Sequence, residues 1–212
     1  MSSFDLLGVA PVIPVVVIPE VEAAVPLARA LRAGGIPIVE VTLRTAAAVE
    51  AIHRIASEVP EVLVGAGTVT TPALAREAAN AGASFLITPG VTSSVLGAAE
   101  DTGLPVLPGC ATVSEAMRLL ERGYTELKFF PAEAAGGVPY LRAIAGPLPD
   151  LRFCPTGGIT PRIAGDYLAL PNVGCVGGTW LASKQTLAAG DFAAVEAAAR
   201  AATVLRTLRP AA

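Results

Sequence analysis

Lysine is scarce in this chain. Of its 15 basic residues only Lys128 and Lys184 are lysine, and the rest are arginine. Arginine does not deprotonate and cannot act as a nucleophile, so a retained lysine marks a place where an amine is needed. Lys128 stands in Leu127-Lys128-Phe129-Phe130-Pro131. Side chains alternate along a strand, so if Leu127 and Phe129 pack outward, the Lys128 amine points inward. Enclosure disfavours an ammonium ion, and a neutral amine adds to carbonyls. A lysine merely neutralised by an acid such as Glu40 is the competing expectation, and pairing does not exclude catalysis. Lys184, in Ala182-Ser183-Lys184-Gln185, reads as a solvated loop charge.

The acid is found in Val39-Glu40-Val41-Thr42-Leu43-Arg44. Alternation sends Val39, Val41 and Leu43 to one face, and Glu40, Thr42 and Arg44 to the other. A carboxylate and a guanidinium inside a fold are unfavourable unless paired or functional. They could form a structural ion pair or lie on an exposed rim. They could also serve as a general acid/base and an anion clamp. Two glycine pairs follow later strands, in Thr156-Gly157-Gly158 and Gly177-Gly178-Thr179. Such pairs let backbone N–H groups approach an anion, and both threonines add hydroxyls. Gly65-Ala66-Gly67-Thr68 and Thr88-Pro89-Gly90 also end strands, the first leaving space beneath a small ligand and the second forming a rigid wall. Either could be plain turn chemistry.

These segments require strands with a common end. Short β-branched runs are expected as strands near Val12–Ile18, Ile36–Leu43, Val62–Gly67, Phe85–Thr88, Pro105–Leu107, Leu127–Phe130, Arg152–Pro155 and Gly174–Val176. Ala-rich helical patterns separate them, over Glu22–Ala33, Ala46–Glu58, Pro72–Ala81, Ser94–Asp101, Val113–Arg122, Pro139–Ile144 and Pro161–Ala169, with a last helix from Phe192 to Leu208. Thr71-Pro72 and Thr160-Pro161 supply capping hydroxyls with proline at the first helical position. Eight βα units predict a single-domain α/β fold over residues 1–212, a (β/α)8 TIM barrel, with a short N-terminal helix near Ser3–Val9 closing its bottom. A doubly wound open sheet is the structural alternative. In a barrel, active-site residues lie at the C-terminal strand ends, and phosphate binds after strands seven and eight. Lys128, Glu40, Arg44, Thr68, Pro89, Thr156, Gly157, Gly158, Gly178 and Thr179 all fall at those ends.

Composition narrows the class. Hydrophobic residues make up 53% and charged residues 16%, which suits a sheet buried on both faces. No apolar run reaches the ~20 residues of a membrane span, and Met1–Gly8 lacks the basic residue of a signal peptide, so a cytoplasmic protein is expected. A net charge of −3 without a basic run gives nucleic-acid binding no support. Cys110, Cys154 and Cys175 lack metal spacing and read as buried free thiols, although Cys110, just past a strand end, could be nearer solvent. His53 is the only histidine and lies in a helical pattern, so no metal site is expected.

In this order, Glu40-Val-Thr-Leu-Arg-Thr45, Gly65-Ala-Gly-Thr-Val69, Thr88-Pro-Gly90, Leu107-Pro-Gly109, Leu127-Lys-Phe-Phe-Pro-Ala-Glu133, Phe153-Cys-Pro-Thr-Gly-Gly-Ile159 and Gly177-Gly-Thr-Trp180 resemble the 2-keto-3-deoxy-6-phosphogluconate (KDPG) aldolase family, whose members often also cleave 4-hydroxy-2-oxoglutarate. The resemblance implies a cofactor-free class I aldolase acting on a keto-acid phosphate, forming pyruvate with glyceraldehyde 3-phosphate or with glyoxylate. It implies a Schiff base on Lys128, general acid/base action by Glu40 and a carboxylate contact from Arg44. Thr68 and Pro89 would touch pyruvate, and Thr156, Gly157, Gly158 and Thr179 the phosphate. Many members carry serine where this chain has Thr179. Homotrimers are also implied. Alternatives are an aldolase for the galactonate epimer, a phosphosugar isomerase or epimerase using Glu40 without a covalent lysine, and a phosphometabolite-binding regulator.

Overall fold

A computed structural model of the chain describes residues 5–208. Short strands and Ala-rich helices alternate: β1 (Val12–Val16), α1 (Ala24–Ala33), β2 (Ile38–Thr42), α2 (Ala48–Glu58), β3 (Leu63–Gly67), α3 (Pro72–Asn80), β4 (Leu86–Ile87), α4 (Ser93–Glu100), β5 (Val106–Leu107), β6 (Gly109–Cys110), α5 (Val113–Glu121), β7 (Glu126–Phe129), α6 (Gly137–Ile144), β8 (Arg152–Pro155), α7 (Pro161–Leu168), β9 (Val176–Gly178), α8 (Lys184–Ala188) and α9 (Phe192–Thr203). Thr71, Thr92 and Thr112 accept hydrogen bonds from the first-turn amides of α3, α4 and α5, and Thr112 completes a capping box with Glu115. The Thr160 hydroxyl, expected to do the same for α7, makes no such bond. Its backbone carbonyl accepts from Ala164 instead.

The strand pairs are parallel, so βα crossovers cover the faces. They form a six-stranded sheet ordered β5-β4-β3-β2-β1-β9 and a three-stranded sheet ordered β6-β7-β8. The expectation of an α/β domain on a parallel sheet holds. The fifth expected strand, Pro105–Leu107, is β5, and an additional short strand, β6, follows it beyond Pro108, which has no N–H for the ladder. Single parallel bridges, Phe153 to Val173 and Thr156 to Gly177, link the β8 and β9 segments.

Several element boundaries differ from those the sequence suggests. The last strand lies over Val176–Gly178 rather than Gly174–Val176, in register with Val12, Ile13 and Pro14. Gly177 and Gly178 are therefore strand residues, not a following loop, and they are small for packing reasons. A Cβ on Gly177 would stand 2.2 Å from the Thr156 hydroxyl, and one on Gly178 2.2 Å from the Trp180 ring. Lys184 opens the short helix α8, capped by Ser183, and is exposed. The final helix changes to a 3₁₀ turn at Val204. In the N-terminal stretch only a 3₁₀ turn, Leu6–Gly8, is formed; Ser3 and Phe4 lie outside the described residues. Among the described residues no helix is long and apolar enough to cross a membrane.

The end of the molecule that carries the strand N-termini holds its own charge cluster. Arg152 Nη1 lies 3.2 Å from Asp5 Oδ1 and 3.3 Å from Glu126 Oε1. Burial pushes the Glu126 carboxyl up from its ordinary 4.5 to about 7; Arg152 opposes this rise and Asp5 adds to it. The folded protein thus holds a proton there that the unfolded chain has released. This contribution is fully present below pH 4.5 and is lost as pH rises through about 7. Wild type should therefore lose stability over that window relative to Glu126→Gln, which stays neutral throughout. Urea midpoints across the window measure this, and parallel curves for the two proteins would refute it.

Candidate active site

The C-terminal strand ends surround a cavity of about 240 Å³. Its floor is the pair anticipated from alternation. Glu40, in the middle of β2, and Lys128, on β7, are 2% and 5% exposed. Lys128 Nζ donates to Glu40 Oε1 at 3.0 Å and to Oε2 at 3.4 Å. Neither partner is paired with Arg44. The outward neighbours of Lys128 behave as their spacing requires. Phe129 stacks on Tyr140 of α6 at 5.2 Å and meets Phe153 edge-on at 6.5 Å. Burying two charges is expensive unless they meet each other. Here they do, and one face of the pair opens on the cavity.

Other groups hold the pair in place. The Thr42 hydroxyl donates to the Val16 carbonyl at 3.0 Å, tying β2 to β1 beside the site. Phe130 turns inward with its ring centroid 5.6 Å from Lys128 Nζ, near enough for a cation–π contact. It was not singled out in the sequence, although alternation places it on the Lys128 face. Val15 and Ile159 also line the cavity without a polar signal that could have marked them. The sequence suggests that Gly65 and Gly67 leave space beneath a ligand, and they do not. A Cβ on Gly65 would meet the Phe85 ring at 2.1 Å, and one on Gly67 would meet Glu40 Oε1 at 2.0 Å.

Around this floor the cavity brings together Arg44, Thr68, Pro89, Thr156, Gly157, Gly158 and Thr179. Arg44 lies at the exposed rim, and among the described residues no carboxylate ion-pairs with it. That leaves a guanidinium fork open to an anion. Thr68 has φ of 61°, an uncommon conformation for threonine, at a position facing the cavity. Opposite, Gly157 and Gly158 have φ of 106° and 81°, values that favour glycine. Gly178 does not line the cavity; its α-carbon faces Trp180. Lys184 is also outside it. Cys110 is buried rather than near solvent, and burial pushes its thiol up to about 12, so it is no thiolate nucleophile. His53 is exposed on α2.

Such a cavity can hold a small dianion between two anion-binding rims, with an amine and a carboxylate in contact beneath its centre. A profile of the KDPG and KHG aldolase family matches residues 5–198. A 2-dehydro-3-deoxy-phosphogluconate aldolase of Pseudoalteromonas atlantica is 53% identical over 192 residues, covering 91% of this chain and 89% of its own. The KHG/KDPG aldolase of Escherichia coli is 52% identical over 199 residues, covering 94% of this chain and 93% of its own. The crystal structure of KDPG aldolase from Legionella pneumophila, with pyruvate captured at low pH as a covalent carbinolamine intermediate, matches with a TM-score of 0.91. It is 46% identical and covers 93% of this chain and 96% of its own.

The buried pair sets a stability expectation that is independent of chemistry. Lys128→Met or Glu40→Gln alone strands one partner and should destabilise by up to about 3–5 kcal/mol. The double variant should lose less than the sum of the two. Urea unfolding of all four proteins measures the coupling, and strictly additive losses would contradict the pairing.

Proposed function

Since the chain belongs to the KDPG and KHG aldolase family, we propose that it is a class I aldolase that cleaves 2-keto-3-deoxy-6-phosphogluconate to pyruvate and glyceraldehyde 3-phosphate, and 4-hydroxy-2-oxoglutarate to pyruvate and glyoxylate. The observation that carries this reading is the Lys128–Glu40 contact of 3.0 Å at the cavity floor. An amine needs a base to reach its nucleophilic form, and here a carboxylate lies within proton-transfer distance. The carbinolamine captured in the Legionella relative supports an amine adduct at the matching step.

In the proposed reaction Glu40 takes a proton from Lys128, and the neutral amine adds to the C2 ketone. Glu40 returns that proton to the carbinolamine hydroxyl, which leaves as water, so an iminium ion forms and Glu40 is again a carboxylate. Glu40, directly or through water, then removes the C4 hydroxyl proton. The C3–C4 bond breaks, its electron pair moves toward the iminium, and the aldehyde leaves. The enamine that remains gains a proton at C3 through Glu40, and hydrolysis returns pyruvate and Lys128. Arg44, with its unpaired guanidinium, holds the keto-acid carboxylate, and Thr68 and Pro89 bound the pyruvate moiety. Thr156, Gly157, Gly158 and Thr179 receive the phosphate; Gly178, which does not line the cavity, lies outside this set. The added methyl of Thr179, where many members have serine, narrows that end while keeping a hydroxyl donor.

The reading includes a closed (β/α)8 barrel. The near continuity of β5 and β6 across Pro108 and the two bridges toward β9 support it. It also includes a homotrimer, for which light scattering should give three times the 21.4 kDa chain mass.

Purified protein should release pyruvate from the phosphorylated keto acid in a lactate dehydrogenase-coupled assay, and borohydride with pyruvate should label Lys128. Lys128→Ala should abolish turnover. Glu40→Gln should lower it by about 10²–10⁴ while still allowing adduct formation. A label on Lys184, or substantial turnover by Lys128→Ala, would overturn the lysine assignment. Unchanged turnover by Glu40→Gln would remove Glu40 from the mechanism.

A further inference from the structure

Glu40 reaches Lys128 across the backbone of β3. In the parallel register Glu40 lies opposite Gly65, and Thr42 lies opposite Gly67. The Glu40 side chain runs diagonally across β3 and rests over the second of these glycines. A Cβ at Gly67 would stand 2.0 Å from Oε1 and 2.5 Å from both Cγ and Cδ. Such an approach is far inside van der Waals contact and involves most of the side chain, not only its tip. Conformational freedom does not explain the glycine, because Gly67 lies outside the left-handed region. Its backbone has little room to retreat. The Gly67 carbonyl accepts from Leu43 N at 2.9 Å, and the next residue is the left-handed Thr68. The hydrogen bonds found for the Glu40 carboxylate come from Lys128.

We propose that Gly67 is a positioning residue for the general acid/base: its bare α-carbon is the surface on which the Glu40 carboxylate lies, and it sets that carboxylate against Lys128. This rests on the reading of Glu40 given above. Any side chain at position 67 lifts the carboxylate by more than 1 Å to restore contact distance. A displacement of that size at a reacting group lowers rates on the order of 100-fold. The defect slows each proton transfer that Glu40 makes, but the trapped adduct accumulates over a long incubation even when Lys128 loses its proton slowly, whereas exchange and turnover repeat the transfers at C3 and C4 in every cycle, so the two kinds of readout separate.

Three readouts test this on the intact enzyme, with Glu40→Gln as reference: borohydride trapping of pyruvate on Lys128, deuterium exchange of the pyruvate methyl group in D2O, and aldol turnover. Gly67→Ala is expected to form the trapped adduct, with exchange and turnover each reduced about 100-fold, in the same pattern as Glu40→Gln. Exchange near the wild-type rate in Gly67→Ala would overturn the proposal, as would loss of trapping in equal measure. If Glu40→Gln itself exchanges at the wild-type rate, the reading of Glu40 fails and the proposal falls with it. If Glu40→Gln is slow but Gly67→Ala is not, only the role of Gly67 fails. Should Gly67→Ala not fold, the same substitution in a Glu40→Ala background decides. The drop in Tm caused by Gly67→Ala should largely vanish once the carboxylate is gone. An equal drop in both backgrounds would make Gly67 a structural residue with no link to Glu40.

Discussion

The contact between Lys128 and Glu40 joins positions 88 residues apart. It crosses between strands that are not neighbours, one in the six-stranded and the other in the three-stranded sheet. Two charges withdrawn from water are stable there only while they meet. Every strand register between them is therefore constrained, because a slip of one residue turns a strand's side chains to the opposite face. The Thr42 hydroxyl bound to the Val16 carbonyl fixes β2 against β1. Phe129, stacked on Tyr140, fixes the outward face of β7. These two anchors keep the carboxylate and the amine turned toward the same space.

Glycine has a different role in this site from the one its reputation suggests. At Gly157 and Gly158 the backbone adopts a positive φ, so glycine serves conformation. At Gly65, Gly67, Gly177 and Gly178 it serves volume. Each gives up its side chain to a larger one from elsewhere: Phe85, Glu40, Thr156 and Trp180. A sequence motif such as Gly-Ala-Gly or Gly-Gly does not distinguish these uses, because both require only the absence of a Cβ.

The two ends of the strands divide the electrostatic work. The C-terminal ends hold the buried Lys128–Glu40 pair and Arg44, with which no carboxylate among the described residues ion-pairs. The N-terminal ends hold Arg152 between an exposed Asp5 and a half-buried Glu126, and the burial of Glu126 affects stability rather than chemistry. This matches the general separation of function and stability between the two ends of parallel αβ folds.

What the sequence determined by itself was the identity and facing of the chemical groups. Alternation in Val39–Arg44 and Leu127–Phe130 turned Glu40, Thr42 and Lys128 inward, because a period of two is a local property of an extended chain. The scarcity of lysine singled out the amine, and the alternation of β-branched and Ala-rich runs gave the α/β class. Tertiary structure decided which inward groups touch. Glu40 pairs with Lys128 and not with Arg44, the β3 glycines accommodate protein side chains and not a ligand, and the last strand lies two residues later than its apolar run suggested. It also made Val15 part of the cavity, brought the Phe130 ring, which alternation already turns to the Lys128 face, to 5.6 Å from Lys128 Nζ, and buried Cys110. These contacts depend on distances between residues far apart in the chain, set by register and packing across strands, and no local pattern encodes those distances.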